Sequence, residues 1–184
     1  MDIKYLTAEE LEAGLEDIYQ SPKDAGVINM IVRRPDVEKR EVIFEARLDL
    51  VDGLVGDNWK VRGSTSTVDG SAHPDMQINI MNSRVIALLA QEPERWQLAG
   101  DQLYIDLDLS EKNLPAGTQL ALGTAVIEVT AKPHTGCKKF AARFGQDAIK
   151  FVNSPLGKEL HLRGRNARII QSGTIRVGDV VKKI

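Results

Sequence analysis

The chain has 184 residues, a formal net charge of -2 and a hydrophobic fraction of 42%. This length fits one domain with a full hydrophobic core, and the composition excludes intrinsic disorder. The charge balance and the aromatic content of 5% disfavour nucleic acid as a partner. Tracking a phosphate backbone requires a basic surface, and stacking on bases requires aromatic side chains.

The cysteine content and the apolar runs bear on the compartment. The single cysteine cannot form an internal disulfide, and a reducing cytoplasm is the simplest location for a free thiol. The N-terminal segment is acidic and lacks the pattern of a secretory signal. The longest apolar run, Val85–Ala90, is far below the ~18–20 residues that span a bilayer. We therefore predict a cytoplasmic protein with no membrane partner.

The first third of the chain predicts one helix and two strands. Thr7 and Glu10 match a capping box, which predicts an amphipathic helix that ends near Pro22 and covers a barrel as a lid. Gly26–Val32 is typical of a buried strand. Glu41–Leu50 alternates between apolar and charged residues, as expected of a half-buried strand. Its predicted buried face consists of Phe44, Ala46, Leu48 and Leu50.

The rest of the chain predicts short strands with a few helices. Residues 62–75 form a loop rich in Gly, Ser and Thr that is long enough to suggest a function. Further strands are predicted at Gln77–Met81, Leu103–Leu109, Leu120–Leu122, Ala125–Val129, Leu160–Leu162, Ala167–Gln171 and Val180–Ile184. Helices are predicted at Arg84–Gln91, Lys138–Phe144 and Gln146–Val152. Short strands between regular turn signals indicate a mainly β barrel or sandwich with a few peripheral helices.

Cys137 is the leading candidate for a chemically active residue. It lies where a predicted strand ends and a predicted helix begins, near the positive end of the helix dipole. Lys138, Lys139, Arg143 and His134 add positive charge nearby, and both effects favour a thiolate. A thiolate in this setting can ligate molybdenum, carry a persulfide or act as a nucleophile. The alternative is a small buried hydrophobic residue, as most free cysteines are.

Two other segments are candidates for a binding site, namely a run of arginines and a glycine-rich bend. Arg163, Arg165 and Arg168, in a run that also contains Asn166, offer guanidinium groups for phosphate or carboxylate. The alternative is a charged strand edge that prevents aggregation. Asp57 ends a glycine-rich bend that either faces a pocket mouth or forms only a tight turn.

Zinc is a weaker hypothesis. His134 and Cys137 have the spacing of half a zinc site, but the remaining histidines, His73 and His161, do not form a second pair.

Several elements in order resemble the MOSC domain, the C-terminal domain of molybdenum cofactor sulfurases. The resemblance covers residues 41–184 of a single predicted domain, and residues 1–40 form an N-terminal helix and strand extension. Cys137 occupies the place of the family's hallmark cysteine. The supporting elements are Leu48–Asp57, Gln77–Ala90, Leu114–Thr118, Ile127–Thr130 and Ser172–Asp179. In one place the chain departs from the family, since Asn58–Lys60 stands where many relatives have basic or histidine residues.

The resemblance implies a MOSC-type β-barrel that binds the molybdenum cofactor, with Cys137 as the molybdenum ligand. It implies possible substrates among N-hydroxylated compounds, reduced with electrons from a separate redox partner. Pyridoxal phosphate belongs to a different domain of the larger sulfurases and is not expected to bind here. The residues expected to bind the cofactor are His134, Lys138, Lys139, Arg165, Asn166, Arg168 and Asp57.

Two alternatives to the oxidoreductase remain open. In the first, Cys137 carries a persulfide and the protein is a sulfur carrier or sulfurtransferase. In the second, the protein is a non-catalytic anion-binding module with a structural cysteine.

Overall fold

The computed structural model describes residues 3–184. Its α-helices are α1 (Ala8–Ala13), α2 (Leu15–Tyr19), α3 (Trp59–Arg62), α4 (Ser83–Ala90), α5 (Lys138–Phe144), α6 (Gln146–Asn153) and α7 (Pro155–Glu159). Short 3-10 helices lie at Pro74–Met76 and Pro93–Ala99. The strands are β1 (Gly26–Arg33), β2 (Glu41–Ile43), β3 (Glu45–Asp49), β4 (Gly53–Leu54), β5 (Ile78–Asn82), β6 (Leu103–Asp106), β7 (Gln119–Leu122), β8 (Ala125–Val129), β9 (Arg165–Gln171), β10 (Gly173–Arg176) and β11 (Val180–Lys183).

Seven strands close into a barrel in the order β11, β7, β8, β9, β5, β6 and β1, and β1 pairs back to β11. Strands β5 and β6 run parallel because α4 and the 3-10 helix after it carry the chain across. The other neighbouring pairs run antiparallel. Strand β2 continues along β1, and β10, β3 and β4 form a separate three-stranded sheet. The prediction of a MOSC-type β-barrel with a few peripheral helices is confirmed.

The buried residues fall into two clusters that share the barrel wall. One cluster contains Leu103 and Ile105 with apolar residues of the other barrel strands and of the small sheet. The second contains Tyr104 and Met81 with apolar residues of the helices. Because side chains alternate along a strand, β6 presents one face to each cluster. Tyr104 is fully buried, although strict alternation along the predicted strand Leu103–Leu109 places it on the same face as the polar residues Asp106 and Asp108.

The first predicted helix is broken at Gly14 into α1 and α2. The predicted capping box is present: Thr7 N donates to Glu10 Oε2 over 2.8 Å, and Glu10 N donates to Thr7 Oγ1 over 3.3 Å. The break lies where Leu88 of α4 approaches so closely that a side chain at position 14 would collide with it. The two short helices pack against α6 and α4.

The predicted strand Glu41–Leu50 is two strands in two different sheets. The chain bends at Phe44, so that β2 pairs with β1 while β3 pairs with β10 and β4. Ala46 and Leu48 are buried as predicted, but Phe44 and Leu50 are 66% and 52% exposed. The prediction of one continuous buried face is therefore wrong at these two positions, because the bend and the strand end remove them from the alternation.

Two further strand predictions need correction. Leu160–Leu162 forms a turn after α7, a helix that Ser154 caps by accepting a hydrogen bond from Gly157 N at 2.9 Å. The strand predicted at Leu103–Leu109 ends at Asp106, and the Asp108 amide instead donates to Pro22 O over 2.8 Å. Within residues 3–184 there is no helix with the length and apolar character that crossing a membrane requires.

Candidate functional site

Two asparagine amides, from the buried Asn166 and the half-buried Asn153, hold the loop that precedes Cys137. Asn166 Nδ2 donates to the carbonyl oxygens of Lys132 and Pro133 over 3.0 and 3.1 Å. The Asn153 side chain accepts from Gly136 N over 2.9 Å and donates to Gly136 O over 3.1 Å. These four bonds fix the path of the backbone from β8 to α5. Asn166, predicted to bind a cofactor, thus has its amide engaged by the chain itself.

Cys137 is the exposed N-cap residue of α5. Its backbone is extended, with φ of -119° and ψ of 179°, and its carbonyl oxygen accepts from Ala141 N over 3.0 Å. The helix begins where the sequence predicted it. The alternative of a small buried hydrophobic residue is wrong, because the side chain is exposed.

Cys137 lines a cavity of about 190 Å³, which we call the Cys137 cavity. Two acidic residues also line it, Asp36 and Glu38. Its cationic lining residues are Arg34, Arg40, Arg62, Lys139, Arg143 and Arg163. Among the lining residues the cations outnumber the carboxylates by six to two, but Asp57 and Asp101 behind the wall pair with Arg34 and Arg163. The remaining excess of two positive charges favours anionic ligands. Three of the cations come from the region before β5 and lie far from Cys137 in sequence.

Asp57 holds one wall of the Cys137 cavity through Arg34. Its Oδ2 accepts from Arg34 N and Nε over 2.9 and 2.8 Å, and its Oδ1 accepts from Arg34 Nη2 over 2.8 Å. Trp59 N also donates to Oδ1, over 3.0 Å. The carboxylate is fully withdrawn from solvent, at 0% side-chain exposure. Asp57 therefore positions Arg34, which itself lines the cavity.

Other polar groups at the Cys137 cavity lack partners. Arg40 Nε and Asn58 Oδ1 are buried atoms without a hydrogen bond within residues 3–184. Burial lowers the pKa of Arg40, and the nearby charges of Arg143 and Arg34 lower it further. In the described part of the chain Arg62 forms no ion pair. An anion bound here would offset the repulsion among these arginines and could accept from Arg62, whereas Asn58 Oδ1 is an acceptor that needs a donor.

Glu38 spans two of the cations. Its Oε1 accepts from Lys139 Nζ over 2.8 Å, and its Oε2 accepts from Arg143 Nη2 over 2.6 Å. The hydrogen bond from Lys139 is the main cause that lowers the pKa of Glu38, and the charge of Arg143 lowers it further. The carboxylate thus occupies donors that an anionic ligand would otherwise use.

Behind the loop, His134 belongs to a buried ion-pair network. Its Nε2 lies 2.9 Å from Asp101 Oδ1, and Arg163 Nη1 donates to Asp101 Oδ2 over 2.6 Å. Burial lowers the pKa of His134, and the charge of Arg163 lowers it further. A neutral ring facing a carboxylate carries its proton on Nε2. Burial tends to raise the pKa of Asp101, but Arg163 and His134 together lower it.

His134 lines a second cavity, of about 390 Å³, on the other side of the loop. We call it the Arg165 cavity after the buried arginine that also lines it. Arg163 borders both cavities, and its guanidinium lies 4.9 Å from the centre of the Phe140 ring. His134 and Cys137 thus face different cavities. Residues 3–184 contain no cluster of three or more His, Cys, Asp or Glu side chains suited to a metal ion.

The family model of the MOSC domain matches residues 69–182, more than half of the chain. The chain belongs to the MOSC domain family. A search of curated proteins found no significant match.

Solved structures support the same fold. The chain is similar to YuaD protein from Bacillus subtilis, with a TM-score of 0.58, 14% identity, and 86% of this chain and 95% of that one covered. It is similar to YiiM from Escherichia coli, with a TM-score of 0.55, 22% identity, and coverage of 86% and 69%. YiiM from Geobacillus stearothermophilus has a TM-score of 0.52, 15% identity, and coverage of 88% and 74%.

The site residues predicted from the sequence do not all lie at one cavity of this MOSC structure. Cys137 and Lys139 line one cavity, and His134 and Arg165 line the other. Lys138 is exposed beside Cys137 and lines neither of these two cavities.

Three other predicted site residues, Arg168, Asp57 and Asn166, contact groups of the protein itself. Arg168 lies on β9, where its Nη2 donates to Glu128 Oε1 over 2.6 Å, and it also lines neither cavity. Asp57 and Asn166 act on neighbouring protein groups, as described above.

Sequence reasoning missed several lining residues of this MOSC site. Arg40 and Arg62 line the Cys137 cavity, and Asp101 anchors the network behind it. The local signal for the first two was weak: Arg40 lies in a charged run after Pro35, and Arg62 begins the long polar loop. Nothing local marked Asp101, because its partners are 33 and 62 residues away.

Proposed function

We propose that this MOSC protein binds the molybdenum cofactor at the Cys137 cavity, with the Cys137 thiolate as the protein ligand of molybdenum. The observation that carries the proposal is an exposed thiol in a cavity lined by six cationic side chains. The cofactor bears a phosphate and a dithiolene, both anionic, and the cavity offers charge of the opposite sign. One protein thiolate is enough for a metal whose other ligands come with its cofactor.

The donor set fits such a group. Arg40 Nε is a buried donor without a partner in the described chain, and Arg62 carries a charge without an ion pair there. Arg62 can donate to phosphate oxygens, which accept charge-assisted hydrogen bonds from guanidinium groups, and Arg40 adds its positive charge. Arg163, held by Asp101, adds a positive charge at a fixed position. Of the residues predicted from sequence, Lys139 lies at this cavity, and Lys138 lies next to the thiol.

When bound, the cofactor would supply two-electron redox chemistry for cleaving the N–O bond of an N-hydroxylated compound. In balance, the substrate takes up two electrons and two protons and yields the reduced nitrogen compound and water. A separate redox protein must deliver the electrons, since this chain has no motif for a flavin, haem or iron–sulfur group. The chain's own contribution is to hold the anionic group, fix the thiol and keep His134 neutral behind the loop.

Metal content tests the proposal directly. Wild-type protein, Cys137→Ala, Arg62→Gln and Arg168→Gln are expressed in cells that make the cofactor, and molybdenum is measured per protein chain. We expect molybdenum in the wild type, loss in Cys137→Ala and reduction in Arg62→Gln. Arg168→Gln is the matched control, because it removes an arginine outside both cavities. Molybdenum in the wild type no higher than in Cys137→Ala contradicts the proposal.

A sulfur carrier is the second candidate, favoured by the exposure of this single cysteine. The Cys137 thiolate would take the outer sulfur of a donor persulfide, releasing the donor's thiolate, and the surrounding cations would stabilise the product. Incubation with a cysteine desulfurase and cysteine, followed by intact mass measurement, tests this. One added sulfur atom in the wild type and none in Cys137→Ala supports it, and no added sulfur contradicts it.

A further inference from the structure

The Arg165 cavity lies on the side of the loop away from Cys137 and is about twice as large, at about 390 Å³ against about 190 Å³. It is formed by residues 130–135, the end of α6, α7 and residues 161–165. Its volume lies within the ~300–1,000 Å³ range typical of small-molecule sites. Cys137 and its cationic cavity wall do not contribute to it, apart from Arg163.

Arg165 is the central observation at this cavity. It is only 3% exposed, yet its hydrogen bonds within the described residues all leave from Nη1. Nη1 donates to Leu114 O over 2.8 Å and to Leu109 O over 3.3 Å, and it lies 3.4 Å from Glu111 Oε2. Nε and Nη2 therefore have no partner in residues 3–184. A buried guanidinium with two free nitrogen donors matches the two oxygens of a phosphate or carboxylate.

The charges around Arg165 favour an anion. Lys132 and Lys158 line the cavity, and neither forms an ion pair within residues 3–184. Glu111 is the acidic residue of the lining, but His161 Nε2 already lies 2.8 Å from its Oε2. The positive charges at this cavity thus exceed the single negative one.

The same cavity also has an apolar part. Ala116, Ala131, Pro133 and Val152 line it beside the charged groups. A bare inorganic ion would fill only a small part of this volume. The combination of an apolar wall with a few convergent polar groups is typical of sites for small organic molecules.

We infer that the Arg165 cavity binds a small organic molecule through its phosphate or carboxylate group, independently of Cys137. Arg165 Nε and Nη2 donate to the anionic oxygens, Lys132 and Lys158 add attraction, and the apolar wall contacts the organic body. The site does not depend on the proposed cofactor, so either idea can fail alone.

Titration of ¹⁵N-labelled protein by NMR at low ionic strength tests the site, with inorganic phosphate, phenyl phosphate and benzoate as probes. We expect saturable shifts at residues 130–135 and 158–165, with phenyl phosphate binding more tightly than inorganic phosphate. The relative affinity of phenyl phosphate and benzoate distinguishes a phosphate site from a carboxylate site. Absence of saturable shifts with all three probes overturns the inference.

Variants locate the binding. Arg165→Gln removes the central donors, but it also removes bonds to two carbonyl groups and can unfold the protein. The double variant Lys132→Gln/Lys158→Gln avoids this problem, because both side chains are free of ion pairs in the described chain. We expect the double variant to bind phenyl phosphate at least about fivefold more weakly than the wild type, because two nearby positive charges are lost.

Controls separate this site from the Cys137 cavity. Lys150→Gln removes an exposed lysine that lines neither cavity, and it is expected to leave the affinity unchanged, as is Cys137→Ala. Shifts that centre on Cys137 and weaken in Arg62→Gln overturn the inference. So does a loss of molybdenum from Lys132→Gln/Lys158→Gln protein, since the cavity would then belong to the cofactor.

Discussion

Asp101 and Arg163 form an ion pair in which both side chains are almost completely withdrawn from solvent. Arg163 Nη1 lies 2.6 Å from Asp101 Oδ2, and the two side chains are 9% and 0% exposed. The second carboxylate oxygen faces His134, and Arg163 Nη2 donates to Ala99 O over 2.9 Å. This network supports the loop from behind, at the boundary between the two cavities.

Removing the charge of Asp101 should destabilise the fold strongly. In Asp101→Asn the guanidinium of Arg163 stays buried without its counter-ion, and we expect a loss of about 3–5 kcal/mol in the free energy of unfolding. Urea denaturation measures it. Asp52→Asn is the control, because the Asp52–Lys60 pair is exposed and should contribute less than about 1 kcal/mol. Equal effects of the two substitutions would contradict the structural role of the network.

Stability should fall as the pH drops through the histidine range. Burial lowers the folded-state pKa of both His134 and His161 below the ordinary value of 6.5. At pH values between the folded-state pKa and the unfolded-state pKa of each histidine, the unfolded chain therefore binds more protons than the folded chain. The stabilisation is complete above pH 6.5 and is lost as the pH falls towards the folded values. Thermal unfolding midpoints measured from pH 7.5 to 5.5 should decline.

His134→Gln provides the comparison for this decline. The glutamine amide can still donate to Asp101 but does not titrate. We expect a shallower decline in this variant over the same pH range. A variant with the same slope as the wild type would show that His134 does not contribute.

The charge of the Cys137 cavity should select among thiol reagents. For each reagent, the rate of reaction of Cys137 is divided by the rate of a small free thiol. We expect this relative rate to be higher for the dianionic reagent 5,5′-dithiobis(2-nitrobenzoate) than for neutral 4,4′-dithiodipyridine. The difference between the two relative rates should decrease as salt is added. Arg62→Gln should lower the ratio of the two rates by up to about fivefold, and Glu38→Gln should raise it. Comparing two reagents cancels effects on the thiol itself.

Arg176→Gln serves as the control for these rates. Arg176 is exposed on β10, is paired with Glu45, and lines neither cavity. A ratio that responds equally to Arg62→Gln and Arg176→Gln would mean that net charge governs the rates and the cavity does not.

Asn166 should matter for stability whether or not a ligand is bound. Asn166→Ala leaves the buried Asn79 amide and the part-buried carbonyl groups of Lys132 and Pro133 without their partner, and we expect a loss of about 1–3 kcal/mol. Chemical denaturation in the absence of ligand measures it. In Gln171→Ala an exposed amide loses one bond to Thr124 O, and the effect should be much smaller. A negligible effect of Asn166→Ala would contradict its structural role.

Local elements that depend on neighbouring residues can be predicted from the amino-acid sequence. The capping box at Thr7, the strand at Ala125–Val129 and the start of α5 after Cys137 are all present. Each follows from side-chain spacing or from a bond between residues two or three positions apart, so a local pattern is enough. The ordered elements also indicated the MOSC fold.

The contacts between residues that are distant in sequence could not be predicted in this way, because they depend on the folded structure. Closure of the barrel sends β2 and β3 into different sheets, and it buries Tyr104 under helices that no local pattern reveals. The same closure brings Arg34, Arg40 and Arg62 to the cavity of Cys137, about a hundred residues from some of them along the chain. Periodicity records which face of a strand is apolar. It does not record which opposite charge or which helix will cover that face, because those partners are chosen by packing across the whole molecule.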